Sequence, residues 1–177
     1  MTDWWDRGEP IHVETVLREW VEREARKAEY PDADPADWGR ERLQAELTER
    51  YEEPAEPVVA DRLDWYKVDL TGDELGNLGT FPEPAWDHLA SDGTVAGAVE
   101  RLDDPTVAED FPDAAAKIEE FAAHADGELG AAVAWQRDEE WPPRLLDGNH
   151  RACGVHRAAQ DGESVGFTVH LGVESTP

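Results

Sequence analysis

One stretch of the chain has residue types at a spacing that could do chemistry: Arg144–Ala159, RLLDGNHRACGVHRAA. Arg144–Leu146 reads as a short strand. Asp147-Gly148-Asn149 is a turn signal, because Gly accepts φ > 0 and Asp and Asn cap helices. From His150 onward Ala152, Val155, Ala158 and Ala159 share one helical face. Such a strand–turn–helix aims free backbone N–H groups along the helix axis at the positive end of its dipole. That setting suits an anion, a phosphate above all. In this reading Gly148 lets the backbone come close to the phosphate. His150 and Arg151 stand at the mouth, and Arg151 supplies a forked, permanently charged donor set.

The rest of the chain must position that turn. His12–Ala28 is an amphipathic helix, with Val13, Val16, Leu17, Trp20 and Val21 on one face. Asp34 then caps a second helix with Pro35 at its first position, running to about Glu52. The two form a helical hairpin. Glu52–Pro57, EEPAEP, reads as a linker and divides residues 1–57 from a second unit, 58–177. Asp64–Leu70 alternates as a strand, with Trp65, Lys67 and Asp69 on one side and Tyr66, Val68 and Leu70 on the other. Thr71–Gly79 reads as a loop and Phe81–Asp92 as short helix and turn. Thr94–Leu102 reads as a helix and Asp103–Phe111 as irregular. Pro112–Ala125 is a helix, Ala131–Gln136 and Arg144–Asp147 are strands, and Ser164–Leu171 is a final strand. The expected fold class is α+β: a small mixed sheet with packed helices, preceded by the helical hairpin.

Composition narrows the function classes. The 177 residues hold 42 Asp+Glu against 16 Lys+Arg, for a net charge of −26. Acids are spread along the whole chain, and lysine occurs only at 27, 67 and 117. The pattern resembles proteins of salt-loving archaea, in which concentrated salt screens self-repulsion. Direct DNA binding is disfavoured, since duplexes are held by runs of Lys and Arg. Anionic membrane surfaces are disfavoured for the same reason. One cysteine leaves no disulfide framework. The polar N-terminus and the absence of a long apolar segment point to a cytoplasmic protein.

Asp147-Gly148-Asn149-His150-Arg151-Ala152 resembles the Asp-Gly-His/Asn-His-Arg-x-x-Ala box of the ParB/sulfiredoxin-like superfamily. The order of elements from about 113 to 173 is similar, and Asp64–Leu70 fits the opening strand. The resemblance implies that Gly148, Asn149, His150 and Arg151 contact nucleotide phosphates, with Asp147 at the metal–phosphate end. It also implies a glutamate after the first strand acting as base, for which Glu74 is the nearest match. Sulfiredoxin's nucleophilic cysteine falls on the position of Asn149. Cys153 lies one helical turn later, which argues against a sulfiredoxin reaction.

The candidate chemistry is therefore phosphoryl transfer or nucleotide hydrolysis with Mg²⁺ and ATP, ADP or CTP. Asp147, His150 and Glu74 are its catalytic candidates. Trp141, before Pro142-Pro143, is the candidate for stacking on a nucleobase. A His150–Cys153–His156 metal set has the wrong spacing for a usual zinc site. Cys153 reads better as a buried hydrophobe. Two alternatives stand beside the enzyme. One is a non-enzymatic, nucleotide-gated partition or regulatory module whose partner, or second copy, docks on the tryptophan-bearing N-terminal helices. The other is a ParB-like nuclease.

Overall fold

The computed structural model describes residues 4–27, 34–60, 62–137 and 142–174. In chain order its elements are β1 (Glu9–Ile11), α1 (Val13–Ala25), α2 (Arg40–Arg50), α3 (Glu52–Val59), β2 (Leu63–Thr71), α4 (Gly72–Leu75) and α5 (Pro84–Leu89). There follow α6 (Val95–Leu102), α7 (Pro105–Asp110), α8 (Pro112–Ala122), β3 (Ala132–Gln136), β4 (Arg144–Asp147), α9 (Asn149–Gln160) and β5 (Gly166–Glu174). The fold is α+β, around a mixed sheet of order β1-β2-β5-β3-β4. β5 runs parallel to β3 and antiparallel to β2. The β1–β2 and β3–β4 pairs are antiparallel.

Strand alternation sorts two sheet faces. Val68, Leu70, Ala134, Leu145 and Leu171 share one core with α4, α5, α6, α8 and α9. Trp65, Val133 and Leu146 share the other with Leu17, Trp20, Leu43, Leu47 and Val58 from α1, α2 and α3. Leu17, Trp20, Leu43 and Leu47 are essentially removed from solvent. Burial of each such side chain contributes roughly 2 kcal/mol.

That second core changes the expected organisation. The EEPAEP stretch is not a linker but the start of α3, and Ala55 and Val58 are buried in it. A boundary at 57/58 therefore falls inside a helix that packs on the sheet. The tryptophan faces assigned to a partner are consumed at home. Trp20 is buried with its ring 5.7 Å from that of Tyr51, and Trp38 lies under the Arg42 guanidinium at 3.9 Å. The second helix also starts later than its Asp34 cap suggests. Asp34 accepts a hydrogen bond from the Ala36 N–H and starts only a 3₁₀ turn, and α2 begins after Gly39. No helix among the described residues is long and apolar enough to cross a membrane.

α9 is the element that carries the turn. It crosses α8 closely, because Gly154 has no side chain: a Cβ there would stand 2.5 Å from the Phe121 Cβ. At its far end Ala159 packs on Gly72 of α4. Held on both flanks, α9 presents its N-terminus at the end of β4.

Candidate functional site

The N-terminus of α9 opens into a cleft of about 580 Å³. Its base is the β4–α9 turn. One wall is the C-terminal end of α1, which carries Arg23, Glu24, Arg26 and Lys27. α8 adds Lys117 and Phe121, and the 81–86 segment adds Phe81, Glu83 and Trp86. Among the described residues five basic ones line this space, counting Arg151, against three acidic ones at 24, 83 and 147. In a protein of net charge −26, the described residues of this cleft thus carry more positive than negative charge. Two of its three lysines are there. Among the described residues no carboxylate pairs with Lys117 or Arg26.

The turn takes the conformation its residues dictate, for a different reason than expected. Gly148 has φ +96°, open to glycine and strained for other residues. A Cβ on it would meet the Ala132 Cβ at 2.8 Å and Nη2 of Arg151 at 2.9 Å. Gly148 therefore lets the turn lie against β3 and the Arg151 guanidinium, and it also lines the cleft.

Arg151 is likewise not a free phosphate ligand. It is only 6% exposed. Its Nη1 donates to the carbonyl oxygens of Leu129, Gly130 and Ala131 at 3.1, 2.8 and 3.1 Å. Its Nη2 donates to Oδ2 of Asp147 at 2.6 Å. Burial lowers its pKa to about 10, against the opposing pull of Asp147, so the group stays a cation at neutral pH. Its job is to clamp the 129–131 segment to the turn.

Asp147 is the hub of that clamp. The same Oδ2 also accepts from Nη2 of Arg23, whose Nη1 holds the Ala131 carbonyl at 2.9 Å. An oxygen shared by two guanidinium groups is a poor candidate for coordinating Mg²⁺, so the metal and catalytic roles expected of Asp147 do not fit its surroundings. Among the described residues no three His, Cys, Asp or Glu side chains converge as metal ligands. A second polar set lies next to it on the α1 side. Glu24, 4% exposed, accepts from Lys27 Nζ at 2.6 Å and from the Tyr51 hydroxyl. Burial, then the bond to Glu24, raises the Tyr51 pKa well above the usual phenol range.

Asn149 is buried and holds the aromatic wall in place. Its Oδ1 accepts from the Phe81 N–H at 3.1 Å. His150 does face the cleft, edge-on to Trp86 with centroids 4.9 Å apart. Burial first, then the charges of Lys117 and Lys27, push its pKa down to about 4. It is a neutral imidazole at neutral pH, too weakly basic for an efficient general base there.

Glu74 is not at the site. Its carboxylate closes a capping box on Thr71 and pairs with Arg7 at 2.7 Å, and the Arg7 contact lowers its pKa. α4 packs near Ala159, about 15 Å along α9 from the turn at 1.5 Å per residue. Trp141 lies outside the described residues. His156 is buried with Nδ1 2.7 Å from the Gly72 carbonyl oxygen. Cys153 is buried, and its thiol is pushed up to about 12.

Sequence reasoning missed the cationic wall and the aromatic one. Lys27 and Lys117 come from helices assigned to different units. The signal that could have found them is scarcity: in a chain almost without lysine, each lysine invites a reason. Comparison of the chain with protein-family models, curated proteins and solved structures finds no match. The site has to be read from its own geometry.

Proposed function

We propose that this cleft binds the phosphate of a nucleotide, with ATP, ADP, CTP and the guanine nucleotides to be tested alike. The observation that carries the reading is the convergence of Lys27, Lys117 and Arg26 in the cleft that holds the N-terminus of α9, in a chain of net charge −26. A helix of 12 residues adds its unpaired first N–H groups and dipole to those cations. Phe81, partly exposed beside the buried Trp86, offers a surface for a ring. The Gly148–Arg151 turn supports this as the scaffold of the cleft, with Arg151 and Asp147 as its internal fastening. Lys27, Lys117 and Arg26 take over the role of phosphate ligands.

Of the two ways to use a bound nucleotide, gating is favoured over phosphoryl transfer. Asp147 is occupied by two guanidinium groups, Glu74 lies at the other end of α9, and His150 is too weak a base. Any Mg²⁺ would arrive on the phosphates, which it needs at least as much as protein ligands.

Thermal unfolding in molar KCl with each nucleotide, with and without Mg²⁺, tests the reading. A ligand at about 100 times its Kd stabilises by roughly 2.7 kcal/mol. Lys117→Gln, on an exposed position, is expected to weaken binding about tenfold without lowering the Tm of the free protein. No Tm rise with any nucleotide at millimolar concentration would refute it. Release of labelled phosphate would restore the enzyme reading.

A further inference from the structure

We infer that the aromatic end of the cleft selects a guanine base, through the carboxylate of Glu83. The inference rests on the nucleotide reading above and deepens it. Glu83 lies between Phe81 and Trp86 in sequence, and all three line the cleft. Trp86 is 6% exposed and packs on His150, and the Phe81 backbone is tied to Asn149. That wall is therefore fixed relative to α9. Glu83 is exposed, stands at the N-cap of α5 and makes no side-chain cap bond. Among the described residues it forms no ion pair, although Lys27, Arg26 and Lys117 line the same cleft. It is an exposed acceptor at the cleft, and no hydrogen bond among the described residues holds its carboxylate.

A carboxylate only accepts hydrogen bonds, and it does so at two adjacent oxygens. Its best match is an edge with two adjacent donors. Guanine presents N1–H and the 2-amino group side by side. Adenine offers one donor, the 6-amino group, next to the bare acceptor N1. Cytosine pairs its 4-amino group with the acceptor N3, and uracil flanks its single N3–H with two carbonyls. Against those three edges one carboxylate oxygen faces an acceptor, which is repulsive. Specificity gained by leaving competitors with unmatched polar groups is the strong kind. The distribution of charge agrees. Glu83 stands with the two aromatic residues, and the cations without a carboxylate partner among the described residues, Arg26 and Lys117, stand just past the end of α1 and on α8.

The test compares GDP, IDP and ADP by calorimetric titration of the full chain in molar KCl, and repeats it on Glu83→Gln. IDP keeps the guanine N1–H and lacks the 2-amino group, so the difference between GDP and IDP reads the amino bond alone. The expected order is GDP, then IDP, then ADP. GDP should bind tighter than ADP by about tenfold or more, given two charge-assisted bonds at a partly solvated site. In Glu83→Gln the preference should collapse while ADP binding is kept. Equal binding of GDP and ADP by the parent protein overturns the guanine assignment and leaves the nucleotide reading standing. So does a preference that survives in Glu83→Gln. Failure of all three diphosphates to bind overturns both.

Discussion

Replacing Asp147 by Asn removes the carboxylate that fastens α1 to α9 and keeps an acceptor oxygen of the same shape. The cost follows from the burial of the three side chains: 18% exposed for Arg23, 21% for Asp147 and 8% for Arg151. An exposed ion pair is worth about 0–1 kcal/mol, and breaking a buried one costs about 3–5. This triad lies between those limits and contains two contacts, so a loss of roughly 2–4 kcal/mol is expected. For a chain of this length each kcal/mol moves Tm by roughly 2–4 °C. The drop should thus be about 5–15 °C. Thermal unfolding at low and at high KCl measures it. The drop should persist at high salt, because contact distances within a partly buried network escape screening that removes surface pairs. Inorganic phosphate should stabilise the variant more than the parent, since two guanidinium groups have lost their anion. A drop under about 2 °C, or one that disappears at high KCl, would refute the clamp.

Two other predictions follow from the same geometry. His150 and His170 both have pKa values lowered to about 4, chiefly by burial. The unfolded chain therefore binds more protons between about pH 6.5 and 4, so stability is full above that window and falls as pH drops through it. Urea unfolding across this range should show the loss, and a bound phosphate should raise the His150 pKa in an NMR titration. A His150 that titrates near 6.5 in the free protein would contradict its burial beside Trp86. Glu74→Gln should leave nucleotide affinity unchanged. It should cost about 1 kcal/mol through the weakened capping box and the lost Arg7 pair, read as a small Tm decrease.

The elements with strong periodicity were legible in the sequence, as was β4 among the short ones, whereas β1, α3 and α7 were not: Pro105–Asp110 is helical where 103–111 reads as irregular. β2, β3, β4 and β5 and helices α1, α6, α8 and α9 announce themselves by alternation or by an apolar stripe with a start signal. β1 has three residues and no pattern of its own, and it exists because β2 offers an edge to pair with. α3 contains Pro54 and Pro57, which argue for a linker until the sheet face supplies a core to bury Ala55 and Val58. α4 was readable after all: Thr71 followed three residues later by Glu74 is a capping-box signature. At the site, the turn and its left-handed Gly148 were legible, since both are local. The partners of Arg151 were not. Its carbonyl acceptors lie 20 to 22 residues upstream, and only the packing of the 129–131 segment brings them within reach.

The charge distribution makes one last demand on the nucleotide reading. Most anion-binding proteins lose affinity steeply as salt rises, because salt screens the cations that hold the ligand. Here two fields of opposite sign act at different ranges. In that reading the cleft cations would stand within a few ångströms of the ligand, whereas the acids responsible for the net charge of −26 are spread along the whole chain. At 0.1 M salt the Debye length is about 10 Å, so much of that acidic surface repels an approaching phosphate. At 1 M it is about 3 Å, and the distant repulsion disappears before the contact attraction does. Nucleotide affinity should therefore hold or rise between about 0.1 and 1 M KCl. The faster association expected at high salt would show in stopped-flow rates. A fall of tenfold or more over that interval would mean that contact attraction is being screened faster than the surface repulsion, and that the ligand lies farther from Lys27 and Lys117 than the cleft implies.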